Sequence, residues 1–372
     1  MESHCTKQKA HMVDIRRQTA GKRVVDEKKY IITIDGGTTN TRVYLWTKDG
    51  INIDSRSDGT GVRDTAADGN NQRLKNAVRE MLTSLTQENG IAWETVEAVY
   101  ASGMITSDVG LFELPHLIAP AGLKDFSQGV KTVLLEEVCP KPVCFIPGLK
   151  NRKDEEISLD NLADMDMMRG EEVEALALLS DWKIREPALL ILPGSHTKMI
   201  AADSAGRLLC CLTSMTGEIL ELLTKHSIVA GAVDREYLKE SPDKEYLLAG
   251  YRYARDTGSF GRTAFLTRIS SQFVSGEIKK CASFLLGAVL ENDVAAIESS
   301  QMFQGFQKSR VLIAGKEPLS SALAYLLEQD NEFKEVSVLS YEKNVPLSGK
   351  GALLIHEERN RRNGIIRQDQ GE

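Results

Sequence analysis

Asp35, Gly36, Gly37, Thr38 and Thr39 follow directly on the apolar run Tyr30–Ile34, and the chain then resumes as an alternating strand, Arg42–Trp46. Glycines in a bend let main-chain N–H groups approach an oxyanion closely. Hydroxyls add donors, and successive N–H groups form an anion-binding nest. An aspartate beside bound phosphates would repel them unless a cation stood between. Mg2+, shared by one carboxylate, phosphate oxygens and water, resolves that conflict. A plain Asp-Gly turn with threonines at a strand edge accounts for these residues equally well when they are taken alone. A second bend shifts the balance: Gly194, Ser195, His196 and Thr197, then Lys198, again pair a glycine with hydroxyls ahead of a strand. Two such cradles facing each other across a cleft suit a nucleoside triphosphate such as ATP with its Mg2+. His196 by itself also fits a hydrogen-bonded structural role, and Lys198 a solvated strand position. Neither G-x-x-x-x-G-K-[ST] nor a G-x-G-x-x-G leading into a helix occurs.

Two cradles need two similar scaffolds, and the sequence supplies them. When "PALLILPGSHTKMIAADSAGRLLCCLT" is set beneath "YIITIDGGTTNTRVYLWTKDGINIDSR", Gly194 falls under Gly37, Ser195 under Thr38 and Ile200 under Val43. The hairpin "DSAG" falls under "TKDG" with a slip of one residue. Each copy reads apolar strand, glycine-hydroxyl turn, second strand, hairpin ending in glycine, third strand. In the first half these strands are Ile31–Ile34, Arg42–Trp46 and Ile51–Ser55, followed by a helix over Gln72–Leu85 and a strand at Val96–Ala101. Apolar periodicity predicts helices over Met168–Leu179, Gly217–Thr224, Lys279–Ile297 and Leu319–Leu327. Short strands are expected at Ser309–Gly315 and 335–339, and "SGKGALLI" opens a last helix. The expected fold class is α/β: a first lobe over 29–185, a second over 186–372 and a cleft between them, the last helix packing back on the first lobe. Residues 1–28 read as a mobile extension, and the acidic run 150–166 as an exposed loop.

The chain has 372 residues, which favours two domains, and a net charge of −7, which argues against nucleic acid or an anionic membrane as partner. No run of 18 apolar residues is present to span a membrane, and the opening residues lack the apolar centre of a secretory signal. The six cysteines form no C-x-x-C pair and read as reduced thiols of a cytosolic protein.

Asp-Gly-Gly-Thr-Thr-Asn at the first hairpin, the second glycine-hydroxyl hairpin and the later Ala314-Gly315 resemble the actin-like/hexokinase-like ATPase superfamily. More narrowly, "SGM" at 102–104, "IPGL" at 146–149, "MRGEE" at 168–172, "LPGSHTK" at 192–198 and "MTGE" at 215–218 are similar to the 2-dehydro-3-deoxygalactonokinase family. "LLGA" at 285–288 and "LIAG" at 312–315 extend the similarity, in the same order, over nearly all of the chain beyond the extension. This resemblance implies two related ribonuclease-H-like lobes. It also implies phosphorylation, with MgATP, of the 6-hydroxyl of 2-dehydro-3-deoxy-D-galactonate in galactonate breakdown.

Phosphoryl transfer needs positioning, charge neutralisation and a group to take the hydroxyl proton. Related sugar kinases place their catalytic acid at the start of the helix before the second cradle, so the resemblance points to Glu171, then Glu172, then Asp166. A plain acidic helix start is the alternative. Asp35 is expected to hold Mg2+ through water. Gly36, Gly37, Thr38 and Thr39 would meet one set of phosphates, Gly194, Ser195, His196 and Thr197 the other, and Gly315 would lie near the nucleoside. Arg169 is the leading candidate for the substrate carboxylate, through its fork of donors. Ser102, Gly103, Met104 and Asp108 would line the sugar-acid pocket, although Asp108 fits a solvated loop as well. "TGE" at 216–218 reads as a helix cap or as a phosphate-holding helix start. Two further readings stay open: a kinase of this fold for another sugar or acid, and a nucleotide-dependent switch or actin-like filament. A homodimer is left open too.

Overall fold

The apolar run after Lys29 forms strand Tyr30–Gly36, and its residues serve two cores: Ile31 faces one, Ile32 and Ile34 the other. Burial on both faces is why the run is almost continuously apolar. The strand pairs antiparallel with Thr41–Thr47, which pairs in turn with Asn52–Asp58, and parallel with Val96–Gly103. Val143–Phe145 and Lys131–Val133 complete a six-stranded sheet. The second sheet follows the same plan. Ala188–Leu192 lies antiparallel to Thr197–Ala202, which pairs with Leu208–Ser214, and parallel to Arg310–Ile313, with Lys334–Val338 beyond. Both meanders close their second hairpin on a glycine at positive φ, Gly50 at 79° and Gly206 at 75°. The repeat read from the sequence is therefore a repeat of strand order and pairing.

This computed structural model describes residues 29–151, 156–236, 238–330, 332–339 and 346–369. The N-terminal extension lies outside them, as do positions 152–155 of the acidic run. The rest of that run, from Glu156 to Leu162, is largely exposed.

One core joins the inner faces of the two sheets. Ile31, Trp46 and Tyr100 of the first sheet and Leu190, Ile200 and Leu312 of the second pack with two helices, Glu171–Asp181 and Leu347–Asp369. Gly351 of the last helix rests on the Val173 carbonyl, where no Cβ would fit. The last helix is also anchored on the first sheet: Arg359 Nη2 donates to Thr132 Oγ1 at 3.0 Å, and His356 Nδ1 lies 3.3 Å from the Tyr100 hydroxyl. Segments leading out of the first sheet are tied to the edge strand Leu208–Ser214. Ala121 bridges Leu208, and the Asn151 amide pairs with the main chain of Cys211 at 2.8 and 2.9 Å.

Two details differ from the sequence reading. Met167–Met168 is a short strand against Leu149–Lys150, and the helix expected from Met168 starts only at Glu171. Gly170, at φ 114°, cannot continue a helix backwards. Helices Lys244–Thr257 and Phe260–Phe273, which the periodicity did not single out, pack with Ile278–Ser299 beside the second sheet. Gly250 and Gly287 bring two of these helices into backbone contact, against the carbonyls of Phe284 and Leu247.

Candidate functional site

The first strand and its parallel neighbour end together, Asp35 level with Ser102 and Gly36 with Gly103. The bend that leaves the sheet there has no room for side chains. A Cβ on Gly36 would lie 2.5 Å from Ile105 Cβ, and one on Gly103 2.5 Å from the Gly36 carbonyl oxygen. Gly103 also sits at φ 85°, a conformation that favours glycine. The Gly37 N–H bonds Asn40 O at 2.8 Å and closes the turn. The carbonyls of Gly37 and Thr38 accept from Val62 and Arg63, at 3.2 and 3.0 Å, in the first turn of helix Val62–Asp68. Those carbonyls are drawn back, whereas among the described residues no main-chain acceptor takes the N–H of Thr38 or Thr39. Both threonines are exposed.

The second bend is built the same way. Gly194 O and Ser195 O accept from Gly217 and Glu218, at 3.2 and 3.1 Å, at the start of helix Thr216–His226. Among the described residues no main-chain acceptor takes the N–H of Ser195 or His196, and both residues are exposed. His196 Nε2 lies 2.9 Å from Glu218 Oε2. Gly315 abuts this bend from the neighbouring strand end; a Cβ there would be 2.8 Å from Pro193 O. Two expectations need correction. The Thr197 side chain is wholly buried beneath the turn, near Asp293, so its hydroxyl does not reach the phosphate side. Lys198 is not solvated: buried, it donates to Met167 O at 2.8 Å and to Thr213 Oγ1 at 2.6 Å.

The acids come in from the central helix. Gly170 packs on Gly103, its Cβ position 3.3 Å from Gly103 Cα, and this seats the start of helix Glu171–Asp181 against the first strand ends. Glu171 Oε2 is sealed from solvent and has no hydrogen-bond partner among the described residues. Buried polar atoms are nearly always paired, so an orphan oxygen marks a place where a ligand can complete the set. Glu172, the expected alternative base, is corrected. It is wholly buried, and both of its oxygens accept from the Gly170 N–H, at 2.9 and 2.8 Å, capping its own helix. Burial, and then the charge of Glu171, push its pKa up to about 8. Glu174, one turn after Glu171, is likewise pushed to about 8 by burial and then by Asp35 and Glu171. Burial raises Asp35 too, against the pull of Arg42, whose Nη1 is 3.8 Å from Oδ2, and of the Ser348 hydroxyl. Its side chain is still 23% exposed. Asp35, Glu171 and Glu174 thus form one cluster of mutually repelling carboxyl groups, at the end of the first sheet and beside the core shared with the second.

A family model described as 2-keto-3-deoxy-galactonokinase matches residues 35–339. The chain belongs to that family. It is accordingly a phosphotransferase whose acceptor is a sugar acid. The crystal structure of a candidate 2-dehydro-3-deoxygalactonokinase from Sinorhizobium meliloti is similar, with a TM-score of 0.68 at 18% identity over 88% of this chain and 98% of that one. This likeness shows that the two chains share a fold, here two sheets built to one plan. The activator of 2-hydroxyisocaproyl-CoA dehydratase from Clostridium difficile, with bound ADPNP, is more distant, at a TM-score of 0.46 and 14% identity over 90% of this chain and 97% of that one. No curated protein matches the chain.

In this galactonokinase-family chain, the substrate side differs most from the sequence reading. Arg169 spends its fork on the loop over 104–116: Nη1 donates to Thr106 O and Oγ1 at 2.9 and 2.8 Å, and Nη2 to Leu114 O at 2.6 Å. It therefore shapes the loop rather than offering a free bidentate pair. Asp166 accepts from the Thr213 N–H and hydroxyl, at 2.6 and 2.7 Å, and ties the crossing segment to the second sheet, which removes it as a base. Asp108 is exposed on the same loop, Ser102 is buried, and Met104 O accepts from Ser107 Oγ at 2.7 Å. Glu174, Arg42, Ser348 and Asp293 went unnoticed in the sequence. The spacing of Glu174 from Glu171 and the hairpin register of Arg42 with Asp35 were readable signals. Ser348 and Asp293 carried none, because only the tertiary fold brings them in.

The burial of Glu172 has a measurable consequence. Its pKa is raised from 4.5 to about 8, so its favourable contribution is complete below about pH 4.5 and is lost as pH rises through about 8. Glu172→Gln, which does not ionise, is expected to flatten part of the fall in thermal midpoint between about pH 5 and 8. Parallel melting curves of the two proteins check this. Glu174, shifted in the same direction, keeps the remainder of the slope.

Proposed function

We propose that this kinase transfers the γ-phosphoryl group of ATP to the 6-hydroxyl of 2-dehydro-3-deoxy-D-galactonate, yielding 2-dehydro-3-deoxy-6-phosphogalactonate in the galactonate breakdown of the cytoplasm. The observation that carries this reading is the orphan Glu171 oxygen, at the head of the helix that both sheets pack around. Glu171 accepts the proton of the acceptor hydroxyl as the new bond to phosphorus forms. The free N–H groups at Thr38–Thr39 and Ser195–His196 receive the phosphates, with Gly36, Gly37 and Gly194 keeping the backbone bare. Gly315, packed against Pro193 at the second bend, lies to the nucleoside side, and Ser102, Gly103, Met104 and Asp108 border the sugar acid. The lobes divide near residue 186, so that each contributes one turn.

Magnesium fits the residues present. Asp35, Glu171 and Glu174 crowd three carboxyl groups beside one arginine; burial and mutual repulsion disfavour their ionisation, and a dication would relieve that. Among the described residues no three His, Cys, Asp or Glu side chains could hold a metal by themselves. Asp35 would therefore hold the ion through water, with phosphates as the other ligands. When bound, Mg2+ neutralises charge on the β- and γ-phosphates.

Purified protein incubated with MgATP and a panel of 2-keto-3-deoxy sugar acids and plain hexoses is expected to phosphorylate the keto-deoxy acids. The product of 2-dehydro-3-deoxy-D-galactonate is expected to carry phosphate at C6 by phosphorus NMR. Phosphorylation of hexoses alone would overturn the assignment.

A further inference from the structure

Asp293 lies beneath the second turn on the long helix Ile278–Ser299, 1% exposed, and none of the roles above uses it. Both of its oxygens accept from Thr216 Oγ1, at 2.7 and 2.8 Å, and Thr216 is itself wholly buried. Thr216 opens the helix whose next two N–H groups hold Gly194 O and Ser195 O. Between Asp293 and the turn there are thus one hydroxyl and two main-chain hydrogen bonds. Burial raises the Asp293 pKa to about 6, against the Thr216 hydroxyl, whose hydrogen bond favours the carboxylate. A buried carboxyl group is a costly way to fill a core position and is kept there by its hydrogen bonds to Thr216.

Among the described residues no buried carboxylate on a distant helix anchors the first clamp, whose approach is held by Thr41 Oγ1 donating to Thr60 O at 2.8 Å. There the Gly61 N–H is met at 2.9 Å by Asp64 Oδ2 of the same short helix. The second clamp is instead tied to a helix that supplies Leu285, Leu286 and Val289 to the second core. The two lobes share the turn and the clamp but not the means of holding the clamp still.

We propose that Asp293 is a positioning residue for the nucleotide: through Thr216 it fixes the helix start that clamps the Gly194–Ser195 turn, and so sets how well that turn receives phosphates. This rests on the reading of the turn as a phosphate cradle. It assigns to Asp293 control over ATP, and none over the sugar acid.

Asp293→Ala and Thr216→Val cut the same link from opposite ends. Each is expected to raise KM for ATP about tenfold, the scale of one hydrogen bond to a charged group, and to leave KM for the sugar acid within about twofold. The double variant should be no worse than either single variant, because the two act as one unit. Asp293→Asn keeps an acceptor for the Thr216 hydroxyl and should restore KM for ATP to within about threefold of the parent, a rescue that mere cavity filling does not give. Should Asp293→Ala fail to fold, Thr216→Val and Asp293→Asn carry the test. Equal losses for ATP and sugar acid overturn the proposal. Unchanged ATP kinetics in Thr216→Val, with weakened ATP kinetics in Gly217→Val, whose added Cβ displaces the turn itself, also overturn it while leaving the cradle intact. If neither variant moves KM for ATP, the cradle reading itself fails.

Discussion

Replacing Glu171 with glutamine is expected to lower kcat by roughly 10²- to 10⁴-fold while leaving KM for ATP and for the sugar acid within about threefold. Glutamine keeps the shape and a carbonyl acceptor but cannot take a proton, so the acceptor hydroxyl would still bind and would lose only its base. A loss of this size corresponds to about 3–5 kcal/mol at the transition state. The neighbouring acids supply the contrast. Glu172 has both oxygens on the Gly170 N–H and is wholly buried, so Glu172→Gln should alter stability and keep most of kcat. Glu171→Asp, which draws the carboxylate back by about one bond length, should recover little, since a displacement of about 1 Å can cost about 10²-fold. Steady-state kinetics with both substrates varied would decide the matter. More than a tenth of the parent kcat in Glu171→Gln would move the base to another acid, and Glu174→Gln would be the next variant to measure.

The two turns and the duplicated meander were legible because each is a local pattern. A strand alternation, a glycine with hydroxyls and a hairpin ending in glycine are written in consecutive residues, and Gly50 and Gly206 occupy their positive-φ places as such hairpins require. The acidic helix start was legible too, yet its first residue was not. Met168 looked helical by periodicity, and only the contact of Gly170 with Gly103 shows why the helix waits until Glu171. Roles that depend on where a side chain turns were not readable. Arg169 offered a fork in the sequence, but its partners Thr106 and Leu114 lie far back along the chain. Thr197 offered a hydroxyl, and strand alternation in the folded sheet turns it towards Asp293. The helix Lys244–Thr257 went unseen for a related reason. Its close partner is the helix bearing Gly287, so its packing pattern belongs to a pair and not to either segment.

Gly217→Val is expected to cost about 10²-fold in kcat/KM for ATP, the scale associated with misplacing a reacting group by about 1 Å. A Cβ at this position would come 2.5 Å from Gly194 O and 2.8 Å from Ser195 Cα, so the turn itself must move. No flexible side chain stands there to give way. The first lobe offers the matched variant: a Cβ on Gly61 would overlap Thr38 O, and Gly61→Val should displace the first turn in the same manner. Gly231→Ala, with nothing within 4 Å of the added atom, serves as a glycine substitution that should leave ATP kinetics alone. Thermal midpoints measured alongside separate a displaced turn from a loosened fold, because a fold-wide effect would raise KM for the sugar acid as well. If the two turns hold different phosphates of one nucleotide, each valine weakens ATP by itself and the pair together abolishes turnover. A loss confined to one lobe would mean that a single turn meets the nucleotide, and the arrangement of two opposed cradles would have to be abandoned.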